Sequence, residues 1–213
     1  MTDTYGLAGI QFDRRELRDL LAAWVALGLA FTFFLAPRGF LQFSLLELTE
    51  LTDLLVASML TVGTGFLLHE LAHKVVAVRF GQVAAFRADY GLLAVAVASG
   101  LAGFLFAAPG AVYHRGSITD RQNGLVAVAG PVTNLVLAAL LLPLLLLGGG
   151  VADVAHLGVL INVFLAAFNM IPYGPLDGRT VLDWHPAPFG VVLLIALGFG
   201  AAFVATFGVS LGV

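Results

Sequence analysis

The chain has 213 residues and a net charge of −3; 60% of its residues are hydrophobic and only 11% are charged. A soluble domain carries about a quarter charged residues, so this composition excludes a water-covered surface, and nothing in it resembles a basic nucleic-acid face. With no cysteine there is neither a disulfide framework nor a thiolate site, and any metal must be held by His, Asp or Glu.

In chain order, residues 1–18 are polar, and a first apolar run from Leu20 to Ala36 stops at Pro37 and Gly39. It lacks a convincing cleavage site before its far end and reads as a first span rather than a removed signal peptide. A loop with Glu47, Glu50 and Asp53 precedes a second span, Leu54 to Val78, which carries His69, Glu70, His73 and Lys74. The apolar run Gly91 to Val112 contains Gly100, Gly103, Pro109 and Gly110. A polar loop, Tyr113 to Asn123, leads to a span from Gly124 to Leu147, and Gly148 to Gly150 form the next turn. A further span, Val154 to Ile171, passes into the breakers Pro172, Gly174 and Pro175, and a last span covers Phe189 to about Val209. These runs reach or approach the roughly 20 residues that cross a bilayer core. The reading is an all-α polytopic membrane protein, one domain over 1–213, with about five to six transmembrane helices.

Arg14, Arg15 and Arg18 before the first span place the N-terminus in the cytoplasm. If Gly91–Val112 dips in and returns to the same side, nine of the ten Lys and Arg residues become cytoplasmic, Arg38 being the exception. That model, five crossings plus a re-entrant element, is preferred; six crossings is the alternative. Irregular backbone at such depth needs cover from protein or a watery cavity.

The chemistry concentrates at His69-Glu70-Leu71-Ala72-His73. Four-residue spacing on a helix puts both imidazoles on one face about one turn apart, where two nitrogens can hold one metal, and the adjacent Glu70 can take a proton from water activated there. An ionisable group inside an apolar span costs kilocalories and is presumed functional; the bland alternative is a polar cluster bonding helices together. A catalytic zinc takes three protein ligands. The candidates for the third are Asp177, Asp183, Asp153, Glu47, Glu50 and the remaining histidines. Asp177 is the best of them: flanking breakers can aim it inward, and in the re-entrant model it meets His69 and His73 at one depth. The alternative is that Asp177 merely caps a turn.

Asn134 follows Gly130 and Pro131 and could donate to a substrate carbonyl or its oxyanion, although interhelical bonding is the commoner role for such an Asn. Asn169 precedes the Pro172 break and could equally bond freed backbone; Asn162 reads as structural. His114, His156 and His185 read as peripheral and solvated, and Lys74 as reaching toward the inner interface.

Three motifs together resemble the site-2 protease family of intramembrane zinc metalloproteases: His69 to His73, Gly130-Pro131-Val132-Thr133-Asn134, and Asn169-Met170-Ile171-Pro172 leading into Pro175-Leu176-Asp177-Gly178. They occur in the family's order, in a matched core of about residues 54–178, without a PDZ-like or other regulatory domain. Pro109 to Val112 also resembles the family's membrane-embedded strand beside the active site. The resemblance implies one Zn2+ per chain held by His69, His73 and Asp177, with Glu70 as general base and Asn134 and Asn169 as substrate- or oxyanion-orienting residues. It further implies substrates that are transmembrane segments of other proteins, while the apolar runs and the charge placement give a multi-pass location in the cell membrane with the active site toward the cytoplasm. His69 lies about ten residues from the inner end of its helix, roughly 15 Å deep, so a polar channel is expected. Arg179 stands where a second glycine often follows the aspartate. A metal transporter would need polar residues on further spans; a catalytically inactive binding protein of the same fold would have lost Glu70 or a ligand, and none is missing.

Overall fold

The computed structural model describes residues 4–7, 9–36, 48–106 and 109–209. Pro37, Arg38, Gly39 and Glu47 lie outside the described residues. Among the described residues five helices are long and apolar enough to cross a membrane and two small strand pairs occur, and the chain is an all-α polytopic membrane protein.

A hairpin of β1 (Thr4–Leu7) and β2 (Ile10–Asp13), which the polar N-terminal composition did not suggest, leads directly into α1 (Arg14–Leu35). Asp13 caps α1, its carboxylate accepting the Glu16 N–H at 2.7 Å. Leu20, Ala23, Leu27 and Phe31 recur at helical spacing and form its buried stripe.

The second long helix runs from Thr49 to Arg79 in two parts, α2 (Leu48–Ser58) and α3 (Thr64–Arg79), joined by a π turn at Met59–Gly63. Glu50 and Asp53 therefore sit on helix, not in a loop. The carbonyl of Met59 accepts the Thr64 backbone N–H five residues on, and also the Trp24 indole N–H and the Thr64 hydroxyl, each of these two at 3.1 Å. Gly63 admits the indole, since a Cβ there would lie 2.5 Å from Trp24 Cδ1.

The run from Gly91 to Val112 is not one element. It contains α4 (Tyr90–Leu101), whose 12 residues extend about 18 Å, short of a bilayer core. It then enters β4 (Gly110–Arg115), antiparallel to β3 (Val83–Ala88) with Phe86 opposite Val112. α4 packs on α1, where a Cβ on Gly100 would sit 2.2 Å from the Ala30 carbonyl oxygen. Tyr113 to Arg115 thus belong to a strand, and the polar loop shrinks to a few residues before the capping box of Thr119 and Gln122 that starts α5 (Asp120–Leu141).

A 3-10 segment, Leu142–Leu147, prolongs α5, and Gly148, at φ 70°, turns the chain into α6 (Gly149–Asn169). The breaker-rich stretch is followed by a short helix, α7 (Asp177–Trp184), before α8 (Pro186–Phe207). α5 packs against α3, α6 and α7, and so holds the metal helix and the Asp177 helix in one place.

Lys74 does not reach for an interface. It is 1% exposed and paired with Glu16 of α1, because the N-terminal segment covers that face of α3 and supplies a carboxylate there.

Candidate metal centre

His69 and His73 project from one face of α3 toward α5 and are buried, as is Glu70 beside them. Asp177, the first residue of α7, arrives from the far side of the site, its Oδ2 lying 3.2 Å from His69 Nε2 and 3.4 Å from His73 Nε2. The three ligand atoms lie within 4.8 Å of one another, and no other such group of three occurs among the described residues. Asp183 instead pairs with Arg179 at 2.8 Å on the exposed side of α7. Glu50 and Asp153 are exposed elsewhere.

The rear nitrogens fix the imidazole tautomers. His73 Nδ1 is 2.8 Å from the carbonyl oxygen of Val126, which can only accept, so Nδ1 carries the proton and Nε2 keeps its lone pair for the site. His69 Nδ1 is 2.6 Å from Asn134 Oδ1, and the direction of that bond is set further back. The Gly158 carbonyl accepts from Asn162 Nδ2 at 2.9 Å; Asn162 Oδ1 accepts from Asn134 Nδ2 at 2.8 Å; the Gly65 carbonyl accepts from the same Nδ2 at 3.3 Å. Asn134 must then present its oxygen to His69, which donates. Two lone pairs and a carboxylate oxygen converge where nothing donates to them, and Asp177 Oδ2 is buried with no hydrogen-bond donor. A cation is what satisfies such a set, and two imidazoles with one carboxylate suit zinc.

Two glycines make the approach possible. A Cβ on Gly130 would lie 2.5 Å from His69 Nε2 and from His73 Nε2, so only glycine lets α5 close on the ligands. A Cβ on Gly178 would lie 2.3 Å from the Met170 carbonyl oxygen, so Asp177 can be delivered only because the next residue has no side chain. Asp177 lies outside the long apolar helices. Burial raises its pKa, but the positive charge and hydrogen bonds that His73 and His69 offer when protonated, with no cation between them, outweigh that and lower it to about 2.

The ligands and Glu70 line a cavity of about 290 Å³ walled by β4, α5 and α6. Asn169 is on its wall, with its amide donating to the Leu165 carbonyl at 3.0 Å. Asn134 is fully buried behind His69 and is not on the wall. Asn123 and Thr180 line both this cavity and a polar depression bordered by Asp120 and Asp183. His114, read as peripheral, lines the cavity: with Gly110 and Val112 it recurs at the two-residue period of β4, a signal present in the sequence but legible only once a strand is assigned. The Val126 carbonyl had no sequence signal. His185 caps α8 by accepting the Ala187 N–H at 3.1 Å. His156 is not solvated at its tip; its Nε2 is buried without a hydrogen-bond partner, and its ring lies 5.1 Å from that of Phe203.

The chain is 37% identical over 194 residues to "Putative zinc metalloprotease MJ0611" of Methanocaldococcus jannaschii, an overlap covering 89% of this chain and 94% of the relative. It belongs to this zinc metalloprotease family. It is also 31% identical over 150 residues to "Putative zinc metalloprotease YwhC" of Bacillus subtilis, covering 59% of this chain and 67% of that one. A third relative, "Putative zinc metalloprotease sll0528" of Synechocystis, is 33% identical over 160 residues, 70% of this chain but 40% of the longer protein. No family model and no solved structure matches the chain. Membership and the converging His69, His73 and Asp177 agree on zinc as the cofactor of this metalloprotease.

Proposed function

We propose that the chain is an intramembrane zinc metalloprotease of the site-2 protease type, hydrolysing peptide bonds within or near transmembrane segments of other membrane proteins. The observation that carries this is the placement of Glu70 and a three-ligand zinc set in one cavity, with Glu70 and both histidines on a helix long and apolar enough to cross a bilayer.

His69, His73 and Asp177 would hold the metal, which when bound polarises a carbonyl and makes a nearby water more acidic. Glu70 takes a proton from the attacking water as its oxygen adds to the scissile carbonyl carbon. It then delivers that proton to the departing nitrogen as the C–N bond breaks, leaving a carboxyl and an amine terminus. Asn169, on the cavity wall, orients the substrate backbone or the developing oxyanion. Asn134 serves one step back, by holding the His69 ring and its tautomer.

A helical peptide bond is shielded, so the substrate must be extended to be cut, and the edge of β4 beside the cavity offers backbone groups to pair with it. Water enters past Asn123 and Thr180. Arg14, Arg15 and Arg18 support a cytoplasmic N-terminus, and the short α4 followed by β4 supports a re-entrant element that returns to the cytoplasmic side.

Purified protein in liposomes with a panel of single-span substrates tests the reading. Wild type and Glu70→Gln should each hold one zinc, and only wild type should cut, in a chelator-sensitive way. Equal cutting by Glu70→Gln, or no cutting by zinc-loaded wild type, would overturn it.

A further inference from the structure

The metal helix carries a second buried charge that the reaction does not use. Lys74, next to the ligand His73, and Glu16 on α1 are each 1% exposed at the side chain. Lys74 Nζ donates to Glu16 Oε1 at 2.6 Å and to the Gln11 carbonyl at 2.7 Å, and lies 3.8 Å above the Phe12 ring. Glu16 Oε1 also accepts the backbone N–H of Phe86 at 3.0 Å. One carboxylate thus binds the metal helix and strand β3 together.

The register of the sheet gives this contact its consequence. Phe86 stands opposite Val112. Because the Phe86 N–H leaves the sheet toward Glu16, the two residues form a pair without ladder hydrogen bonds, and the Val112 N–H leaves by the opposite edge. That edge borders the cavity that Glu70 also lines. The strand pair is therefore held on its outer side by Glu16, while its free edge faces the cavity. The hold returns to α3, because Lys74, which anchors Glu16, lies one turn from Glu70 on that helix. Stability alone does not require the ion pair, since apolar side chains of similar volume can replace buried pairs without loss. An apolar pair could not accept the Phe86 N–H or tie it to Lys74.

We propose that Glu16 is a positioning residue: anchored by Lys74 and holding the Phe86 N–H, it sets the free edge of β4 at a fixed distance from Glu70 and the metal ligands. The inference deepens the protease reading and rests on it for its effect on turnover, because the extended substrate lies between that edge and the site.

The chain has no cysteine, so spin labels can be placed on cysteines introduced at Leu68 of α3 and Tyr113 of β4, both exposed. In the labelled protein with Glu16 and Lys74 intact the interspin distance should be narrow and single. In Glu16→Leu/Lys74→Met, which leaves no unpaired buried charge, it should broaden. In the unlabelled double variant kcat should fall about tenfold or more, with KM changed less and one zinc retained, since misplacing reacting groups by about 1 Å costs that much or more. Glu16→Gln/Lys74→Met, which restores an acceptor for Phe86, should recover the narrow distance. Should the Leu/Met pair fail to fold, Glu16→Asp keeps the charge pair but shortens the reach, and should broaden the distance by itself. An unchanged distance and kcat in the variants that lack the link, or loss of zinc with the strand unmoved, would overturn the inference. Wild type that cuts nothing would overturn the protease reading instead, while the spin–spin distance still decides the clamp.

Discussion

Nδ1 of His69 lies 2.6 Å from Oδ1 of Asn134, and the far end of that amide is committed to Asn162 and the Gly65 carbonyl. With its oxygen and amide hydrogens all engaged by protein, Asn134 acts on the reaction through a ligand. Replacing it with Leu should weaken zinc affinity about 10- to 100-fold, the usual cost of losing such a partner. Competition against a chelator of known affinity measures this. A fall in turnover at unchanged zinc affinity would instead return Asn134 to the substrate.

Gly130 is the point where α5 touches both ligand nitrogens. In Gly130→Ala the new methyl would lie 2.5 Å from His69 Nε2 and His73 Nε2. The helix must shift or the rings must turn. The variant should bind well under one zinc per chain and lose about 1–3 kcal/mol of stability, typical of overpacking. Metal analysis of the purified variant and its thermal unfolding check both parts.

Trp24 and Gly63 are complementary at the π turn. Trp24→Phe removes the hydrogen bond to the Met59 carbonyl, worth about 1 kcal/mol, while the Thr64 hydroxyl still serves it. Gly63→Ala should cost more, because its Cβ would meet the indole at 2.5 Å. In Gly63→Ala/Trp24→Ala the clash is gone, so the double variant should be more stable than the sum of Gly63→Ala and Trp24→Ala, each made alone, predicts. A double-mutant cycle on unfolding free energy reads this coupling.

Asp13 gives a pH dependence. Its carboxyl pKa is lowered chiefly by hydrogen bonds from the Arg87 guanidinium, the nearer at 2.6 Å, against a smaller opposing effect of burial. The folded state therefore holds this proton less tightly than the unfolded chain. The contribution is fully present above the ordinary Asp value of about 3.9 and is lost as pH falls through the lowered folded value. Wild type should lose thermal stability below about pH 4 more steeply than Asp13→Asn. Parallel slopes in melts at graded pH would show that this pair does not contribute.

Much of the site could be read before the fold. The pair His69 and His73 carries its own geometry, because a helix spaces residues four apart by one turn regardless of what surrounds it. Asp177 could be chosen because the breakers around it end one helix and allow a carboxylate to be aimed. Asn134 was visible as a polar residue in an apolar run, yet its partner was not: a hydrogen bond across 65 residues depends on how two helices pack. The place of His114 on the cavity wall was not legible because strand period carries meaning only when the strand is known, and Gly91–Val112 read as one apolar run. Glu50 and Asp53 were assigned to a loop because acidic residues mark loops by composition, whereas here they ride the first turns of a long helix.

The sequence by itself determined that the chain is built for a bilayer, that its metal would be held by His and carboxylate, and that Glu70 stands beside two ligands. Those properties are local: they follow from composition and from the 1.5 Å rise of a helix. Only the tertiary structure decided which atoms of the imidazoles face the site, why Gly130 and Gly178 have no side chain, and that Lys74 turns inward to Glu16. Each of those depends on contacts between segments far apart in the chain, and burial then makes every such polar group find a partner.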